Sequence, residues 1–249
     1  MNTLLIKNVS HHYQNNKPIL SNIDLKINNG EFYSLIGRSG CGKTSLLNIA
    51  SGLLIPQEGQ VMINNAPLCG PIAEAGFVFQ SPTLLEWKTV LQNTLFPIEI
   101  KRKSTQQEKE RANYLLSLMK ISELAHQYPL QLSGGQKSRV AIARALIKSP
   151  PFLFMDEPFA ALDAITREEL QQDLISLCAT HNTTVIFITH DIAEAIYLSD
   201  NVAVIGQGKI IYNTHIPLAK PRLSQVRYSK EFNQLSHKLR QALEGGDSL

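Results

Sequence analysis

Gly37-Arg38-Ser39-Gly40-Cys41-Gly42-Lys43-Thr44 follows Glu31-Phe32-Tyr33-Ser34-Leu35-Ile36, which reads as a buried strand. It precedes Ser45-Leu46-Leu47-Asn48-Ile49-Ala50, an apolar-periodic helix start closed by Gly52. Strand, glycine loop, Lys-Thr and helix is the context in which such a pattern marks a phosphate site. Glycines there let bare backbone N–H groups wrap an anion with no Cβ in the way. The helix N-terminus adds positive potential at the same point. Lys43 can then reach β- and γ-phosphates, and the Thr44 hydroxyl can ligate Mg²⁺. The bland alternative is a glycine-rich turn before an ordinary helix, and the strand and helix flanking the loop in register disfavour it.

The chain has 249 residues, enough for one large α/β domain or a core carrying an inserted subdomain. Its composition, 43% hydrophobic and 18% charged, is that of a soluble globular protein, and a net charge of +3 is too small to argue for nucleic acid. Basic residues concentrate late: between Gln207 and Arg240, Lys209, Lys220, Arg222, Arg227, Lys230, Lys238 and Arg240 are set against Glu231 alone, which reads as a solvated basic surface. Cys41, Cys69 and Cys178 have neither paired nor metal-type spacing, which fits a reducing compartment. Cys41 reads as a small filler of the glycine loop. The N-terminus lacks a signal peptide's basic start and apolar core, and no apolar run reaches the roughly 18 residues of a membrane span.

Outward from the loop, strands are predicted at 3–9, 19–27, 60–63, 76–80, 152–155, 184–189, 201–205 and 209–212, with 11–16 as a loop. From about 89 to 128 the pattern turns helical: Ser104 and Gln107 form a capping box, and Ala112, Leu115, Leu116 and Met119 share a face. Ser133 at N-cap with Gln136 three residues on opens a helix to about 148. Another spans 164–178 with Leu170, Leu174 and Leu177 inward, and a short one runs through Tyr197. Strands alternating with helices predict a mostly parallel sheet covered on both faces.

A phosphate loop needs a second, acidic site. Asp156, ending a buried strand, can hold a metal, and Glu157 beside it can act as general base toward a water attacking the γ-phosphate. Two solvated loop acids are the alternative.

Leu132-Ser133-Gly134-Gly135-Gln136, placed between the phosphate loop and the acidic strand, resembles the signature of ATP-binding cassettes, the ATPase subunits of ABC transporters. Nearly the whole chain then follows that family's plan. The resemblance implies an α/β P-loop NTPase (RecA-like) core with a mostly parallel sheet, an N-terminal antiparallel β subdomain and an inserted helical subdomain. The ATPase domain would span 3–215, with the helical insertion at about 87–148, and a basic tail would cover 216–249. The cofactors implied are ATP and Mg²⁺, held by Gly37, Arg38, Ser39, Gly40, Cys41, Gly42, Lys43, Thr44 and Ser45. Thr44, Gln80 and Asp156 would be the metal-side residues, and Glu157, His190 and Lys43 the catalytic ones.

Tyr13 falls where such proteins stack an aromatic on adenine; its π-face suits a purine, although a lone tyrosine also serves as packing. Gln80 matches the glutamine linking nucleotide to the helical subdomain. Ser133, Gly134, Gly135 and Gln136 would close over the ATP of an opposite copy, so the resemblance implies a head-to-tail homodimer; Ser133 is an N-cap as well. Ala161-Leu162-Asp163 matches the loop crossing that interface. His190 matches the switch histidine near the γ-phosphate, and its place after the strand at 184–189 sets it at the same sheet edge as Asp156. A near-neutral imidazole there can donate to the γ-phosphate and report its loss.

Phe79-Gln80-Ser81-Pro82-Thr83-Leu84-Leu85-Glu86-Trp87 is similar to the stretch in nitrate, sulfonate and taurine importers, which usually read Leu-Leu-Pro-Trp. Cys69-Gly70-Pro71, Pro158-Phe159-Ala160-Ala161-Leu162-Asp163 and Pro221-Arg222 point the same way, while Glu86, Ala75 and Ala160 depart from the pattern. Cassettes for thiamine-precursor pyrimidines share much of it. The implied function is ATP hydrolysis powering uptake of a small solute, at the cytoplasmic face of the inner (plasma) membrane. The implied partners are an integral membrane permease and, indirectly, an extracytoplasmic solute-binding protein, with no nucleic acid. A non-transport cassette ATPase of the iron–sulfur assembly type is the alternative from another class.

Overall fold

Six consecutive residues, Phe32–Gly37, are all buried. Alternation is absent because both faces of this strand (β3) are covered, as in parallel sheets. A computed structural model describes residues 3–13 and 18–245, and the chain divides into two compact units, Met1–Ala73 with Thr184–Leu249 and Glu74–Thr183.

In the first unit, β1 (Leu4–His12) pairs antiparallel with β2 (Pro18–Ile27) and with β4 (Glu58–Ile63), and β5 (Ala66–Pro67) extends the sheet. β1 runs three residues beyond the predicted strand because His11 and His12 pair with Leu20 and Pro18. Of the predicted loop, residues 14–16 lie outside the described residues. The second sheet of this unit runs β10 (Lys209–His215), β9 (Asn201–Gly206), β3, β8 (Thr184–Ile188). β3 is parallel to both β8 and β9, and β10 closes an antiparallel edge. Helix α1 (Lys43–Ala50) follows β3 and α6 (Ile192–Leu198) follows β8. The C-terminal helix α7 (Lys230–Gly245) buries Phe232, Leu235 and Leu239 and packs on α6 and β9. The late basic stretch is thus only partly a solvated surface.

The second unit pairs β6 (Gly76–Val78) parallel with β7 (Phe152–Asp156). Around them lie α2 (Val90–Glu99), α3 (Gln106–Leu118), α4 (Gly134–Leu146) and α5 (Ala164–His181). The apolar face of α3 is buried as its periodicity predicts. Its cap is one residue later than expected: Thr105, not Ser104, accepts from the Glu108 N–H, and Glu108 answers to the Thr105 N–H. Ser104 instead donates to Glu99 at 2.8 Å. In α5 the inward row is Leu170, Leu174 and Cys178, a strict four-residue spacing that leaves Leu177 half-buried.

Candidate active site

In the first unit the loop leaving β3 supplies what an anion needs. Gly42 caps α1 at φ 105°, with no side-chain hydrogen bond to the helix and no acid in its first turn. The first N–H groups of α1 therefore keep their donor capacity for an anion. A Cβ at Gly42 would lie 2.8 Å from the Ile19 carbonyl oxygen and from Leu20 Cδ2, so only glycine fits. Lys43 is 8% exposed, and its Nζ donates to the carbonyls of Gly37 at 2.8 Å and Arg38 at 2.9 Å. The ammonium is thus held inside the loop by backbone oxygens, which offset its desolvation. Arg38, Ser39, Gly40 and Thr44 are exposed around it, Cys41 is half-buried and Ser45 buried.

Tyr13 is half exposed, and its hydroxyl lies 3.3 Å from Ser45 Oγ in the first turn of α1. The His11 ring stands edge-on to it, with centroids 5.1 Å apart at 89°. His11 is buried, and desolvation, with His12 adding repulsion, lowers its pKa and keeps it neutral. Tyr13 is therefore fixed beside the phosphate loop with ring area open, the arrangement a base platform requires.

The parallel register explains how His190 joins this set. Leu35 pairs with Ile188, and the Thr189 N–H donates to the Leu35 carbonyl at 3.3 Å. Continued two residues, that register brings exposed His190 level with Gly37, where the loop begins. Its neighbours are pinned. The Asp191 carboxylate caps α6, accepting from the Ala193 and Glu194 N–H groups at 2.7 and 3.2 Å. The Thr189 hydroxyl accepts from the Asp191 N–H at 3.0 Å and donates to buried Glu194 at 2.6 Å. Sequence reasoning passed over Asp191 and Glu194, although an acid followed by Glu three residues on is a cap signal.

The second unit carries the acidic set. Val78 pairs with Met155, so Gln80 and Glu157 fall level with each other just past the ends of β6 and β7. Asp156 closes β7 at 7% exposure. Glu157 has φ 46°, a left-handed backbone that costs a non-glycine residue about 1 kcal/mol. Exposed Gln80 leads into a segment tied down by Arg144, which donates to the carbonyls of Pro82 and Thr83, both at 2.8 Å. Buried Asn93 holds Leu85 from both sides, accepting from its N–H at 2.8 Å and donating to its carbonyl at 3.1 Å.

Ser133 caps α4 as expected, reciprocally with Gln136, whose side-chain oxygen accepts from the Ser133 N–H at 2.8 Å. Gln136 thus serves its own helix, while Ser133 and Gly134 are exposed. Asp163 caps α5, and hydrogen bonds from Thr166 hold its carboxyl below the usual range. Arg139 of α4 donates to Thr166 Oγ1 at 3.1 Å and to the Met119 carbonyl at 3.0 Å, bracing the signature helix against the helix after Asp163. The predicted residues thus fall into two sets, one on each unit.

Among the described residues no three His, Cys, Asp or Glu side chains form a metal cluster. Thr44 in the first unit and, separately, Gln80 and Asp156 in the second each offer oxygen donors, which suit a hard cation such as Mg²⁺ and not a soft one. No described helix is long and apolar enough to cross a membrane.

The ABC transporter family model matches residues 20–160. The taurine import ATP-binding protein TauB of Pseudomonas fluorescens is 40% identical over 219 residues, 87% of this chain and 83% of its own. The bicarbonate transport ATP-binding protein CmpD of Synechocystis is 40% identical over 227 residues, covering 88% of this chain and 80% of that protein. Among solved structures, the dimeric ATP-binding cassette MJ0796, in a post-hydrolysis state with ADP and Pi, superposes with a TM-score of 0.80 at 34% identity. It covers 87% of this chain and 100% of that one.

Proposed function

The chain belongs to the ABC transporter family, and on that premise we propose that it is the ATP-hydrolysing subunit of an importer for a small solute of the nitrate, sulfonate or taurine kind. Relatives named for taurine, sulfonate and bicarbonate import support uptake over the assembly-type alternative. The observation that carries the reading is the loop at the α1 N-terminus, with Gly42 in a glycine-only conformation and Lys43 already held within it.

In this reading the triphosphate enters the loop, and the α1 N–H groups and Lys43 take up its charge. Tyr13 stacks on the base. Thr44 and Asp156, with Gln80, would hold Mg²⁺, which would supply positive charge against the developing negative charge of the triphosphate. Glu157 accepts a proton from the attacking water, and His190 donates to the γ-phosphate. Ser133, Gly134 and Gly135 cap a helix N-terminus offered to the ATP of a second copy, with Asp163 beside that boundary, so two copies close over two nucleotides. The dimeric neighbours support that pairing.

A separate permease docks on the helical block, which places the subunit at the cytoplasmic membrane face; a solute-binding protein outside feeds it. The second unit offers a cleft of about 350 Å³ for this, lined by Phe77, Phe79, Phe96, Pro97, Ile100 and Arg144. Gln80 follows directly after its Phe79 wall, so loss of phosphate can be passed to whatever fills the cleft.

The test has two arms. Lys43→Ala abolishes ATP turnover, and Glu157→Gln binds ATP and accumulates as a closed dimer on gel filtration; brisk hydrolysis by Glu157→Gln removes Glu157 from the base role. Tagged chain should retrieve a membrane permease, and ligand added to the binding protein should raise turnover of the assembled complex; retrieval of a soluble scaffold instead overturns the importer reading.

A further inference from the structure

Helix α6 has only seven residues, too few to persist alone in water. Its N-terminus is closed by Asp191, directly after His190. Its C-terminus is closed by a residue far along the chain. Arg222, 4% exposed, donates through Nη1 to the carbonyls of Ile196 at 2.9 Å, Tyr197 at 3.0 Å and Ser199 at 2.7 Å. Through Nη2 it reaches Ile216 and Leu218, both at 3.3 Å. A guanidinium at this end satisfies orphan carbonyls and opposes the negative pole of the helix. The segment is gripped in return. The Tyr197 hydroxyl donates to the Arg222 carbonyl at 2.9 Å, and the Arg227 guanidinium lies 4.0 Å from the centre of the Tyr197 ring. Lys220 pairs with Asp200 at 2.6 Å, and that carboxylate also accepts from the Phe32 N–H at the start of β3. Arg222 lies beyond residues 20–160, which the family model matches.

We propose that Arg222 is a positioning residue for His190: by closing the C-terminal end of α6 it fixes the short helix whose other end presents the imidazole, making ATP turnover dependent on the C-terminal segment. The inference rests on the γ-phosphate role given to His190 above. A residue that only held the fold together would weaken nucleotide binding and chemistry alike. One that sets the imidazole acts on the chemical step, because a displacement of about 1 Å costs up to about a hundredfold in rate.

The experiment is a double-mutant cycle on the full chain, read by single-turnover release of γ-phosphate. Arg222→Gln should lower the rate about tenfold or more with KM for ATP within about twofold, since ground-state binding is untouched. Arg222→Lys, which keeps the charge but loses the planar fork, should recover part of that loss. In a His190→Ala background the Arg222→Gln change should have no further effect. Additive losses, or a parallel rise in KM, overturn the positioning role. If Arg222→Gln does not fold, Arg222→Lys runs through the same cycle with the same criteria. A His190→Ala protein at the wild-type rate defeats the reading of His190 itself, a result distinct from additivity.

Discussion

Replacing Gly42 by alanine tests whether the phosphate loop depends on a backbone that only glycine adopts. At φ 105° an alanine is strained by about 1–3 kcal/mol. Its Cβ also meets the Ile19 carbonyl oxygen and Leu20 Cδ2 at 2.8 Å, an overlap worth about another 1–3 kcal/mol because one partner is backbone. Against this, alanine restricts the unfolded chain and returns about 0.4–1 kcal/mol. The net loss is about 1–6 kcal/mol, or about 2–24 °C in Tm at roughly 2–4 °C per kcal/mol for a chain of this size. Gly40 is the control. Its φ is also positive, at 79°, but a Cβ there has nothing within 4 Å, so Gly40→Ala should lose only the strain less the same return, about 0–3 kcal/mol. Binding should follow the same order. Displaced N–H groups at the α1 start forfeit charge-assisted hydrogen bonds worth about 1.5–3 kcal/mol each, so ATP affinity in Gly42→Ala falls at least about tenfold. Scanning calorimetry and titration with a fluorescent nucleotide analogue measure both. Equal Tm losses in the two variants, or wild-type affinity in Gly42→Ala, would refute the steric account.

Tyr13→Ala should weaken ATP binding by about 1–3 kcal/mol with the rate at saturation little changed, and Tyr13→Phe should keep most of the affinity; unchanged affinity in the alanine variant demotes Tyr13 to packing. Glu157→Asn relieves a left-handed glutamate with a residue that tolerates that region, so its Tm should match or exceed wild type by about 2–4 °C while turnover vanishes. A clear fall in Tm would show that what the glutamate side chain holds outweighs the relief of the φ of 46°. Glu108 is held down at about 2, chiefly by the Arg102 guanidinium and then by the Thr105 N–H. Its contribution is therefore complete above its ordinary 4.5 and fades as pH falls toward about 2. Glu108→Gln should unfold earlier than wild type near neutrality and converge with it in acid; a gap that widens in acid has the opposite sign.

Local chemistry was legible from local sequence. The strand, glycine loop and helix around Gly42, the Ser133–Gln136 cap and the apolar face of α3 each depend on neighbours within a turn or two. What escaped depends on competing local partners or on distant ones. Ser104 and Thr105 are both good caps with an amide or acid three residues on. The choice falls to Thr105 because Glu108 also binds Arg102 through both carboxylate oxygens, at 2.6 and 2.9 Å. The extension of β1 to His12 needed β2 as a template. Arg222 looked like one more charge in a basic tail, and only the fold shows its guanidinium among five carbonyls. No periodicity encodes that, since the acceptors are backbone carbonyls, which every residue carries.

Parallel pairing does for the site what no motif can do alone. In a parallel ladder both strands deliver their following residues to the same edge, so loops far apart in sequence become neighbours once the register is set. Leu35 opposite Ile188 brings the phosphate loop and His190 level in one unit, and Val78 opposite Met155 does the same for Gln80 and Glu157 in the other. A shift of one residue along either ladder would exchange a strand's two faces, and because both are buried in β3, β7 and β8 it is the close packing of unlike side chains, not polarity, that opposes the slip. The burial that makes these strands unreadable as alternating patterns therefore leaves the register, on which each set of site residues depends, to side-chain packing rather than to polarity.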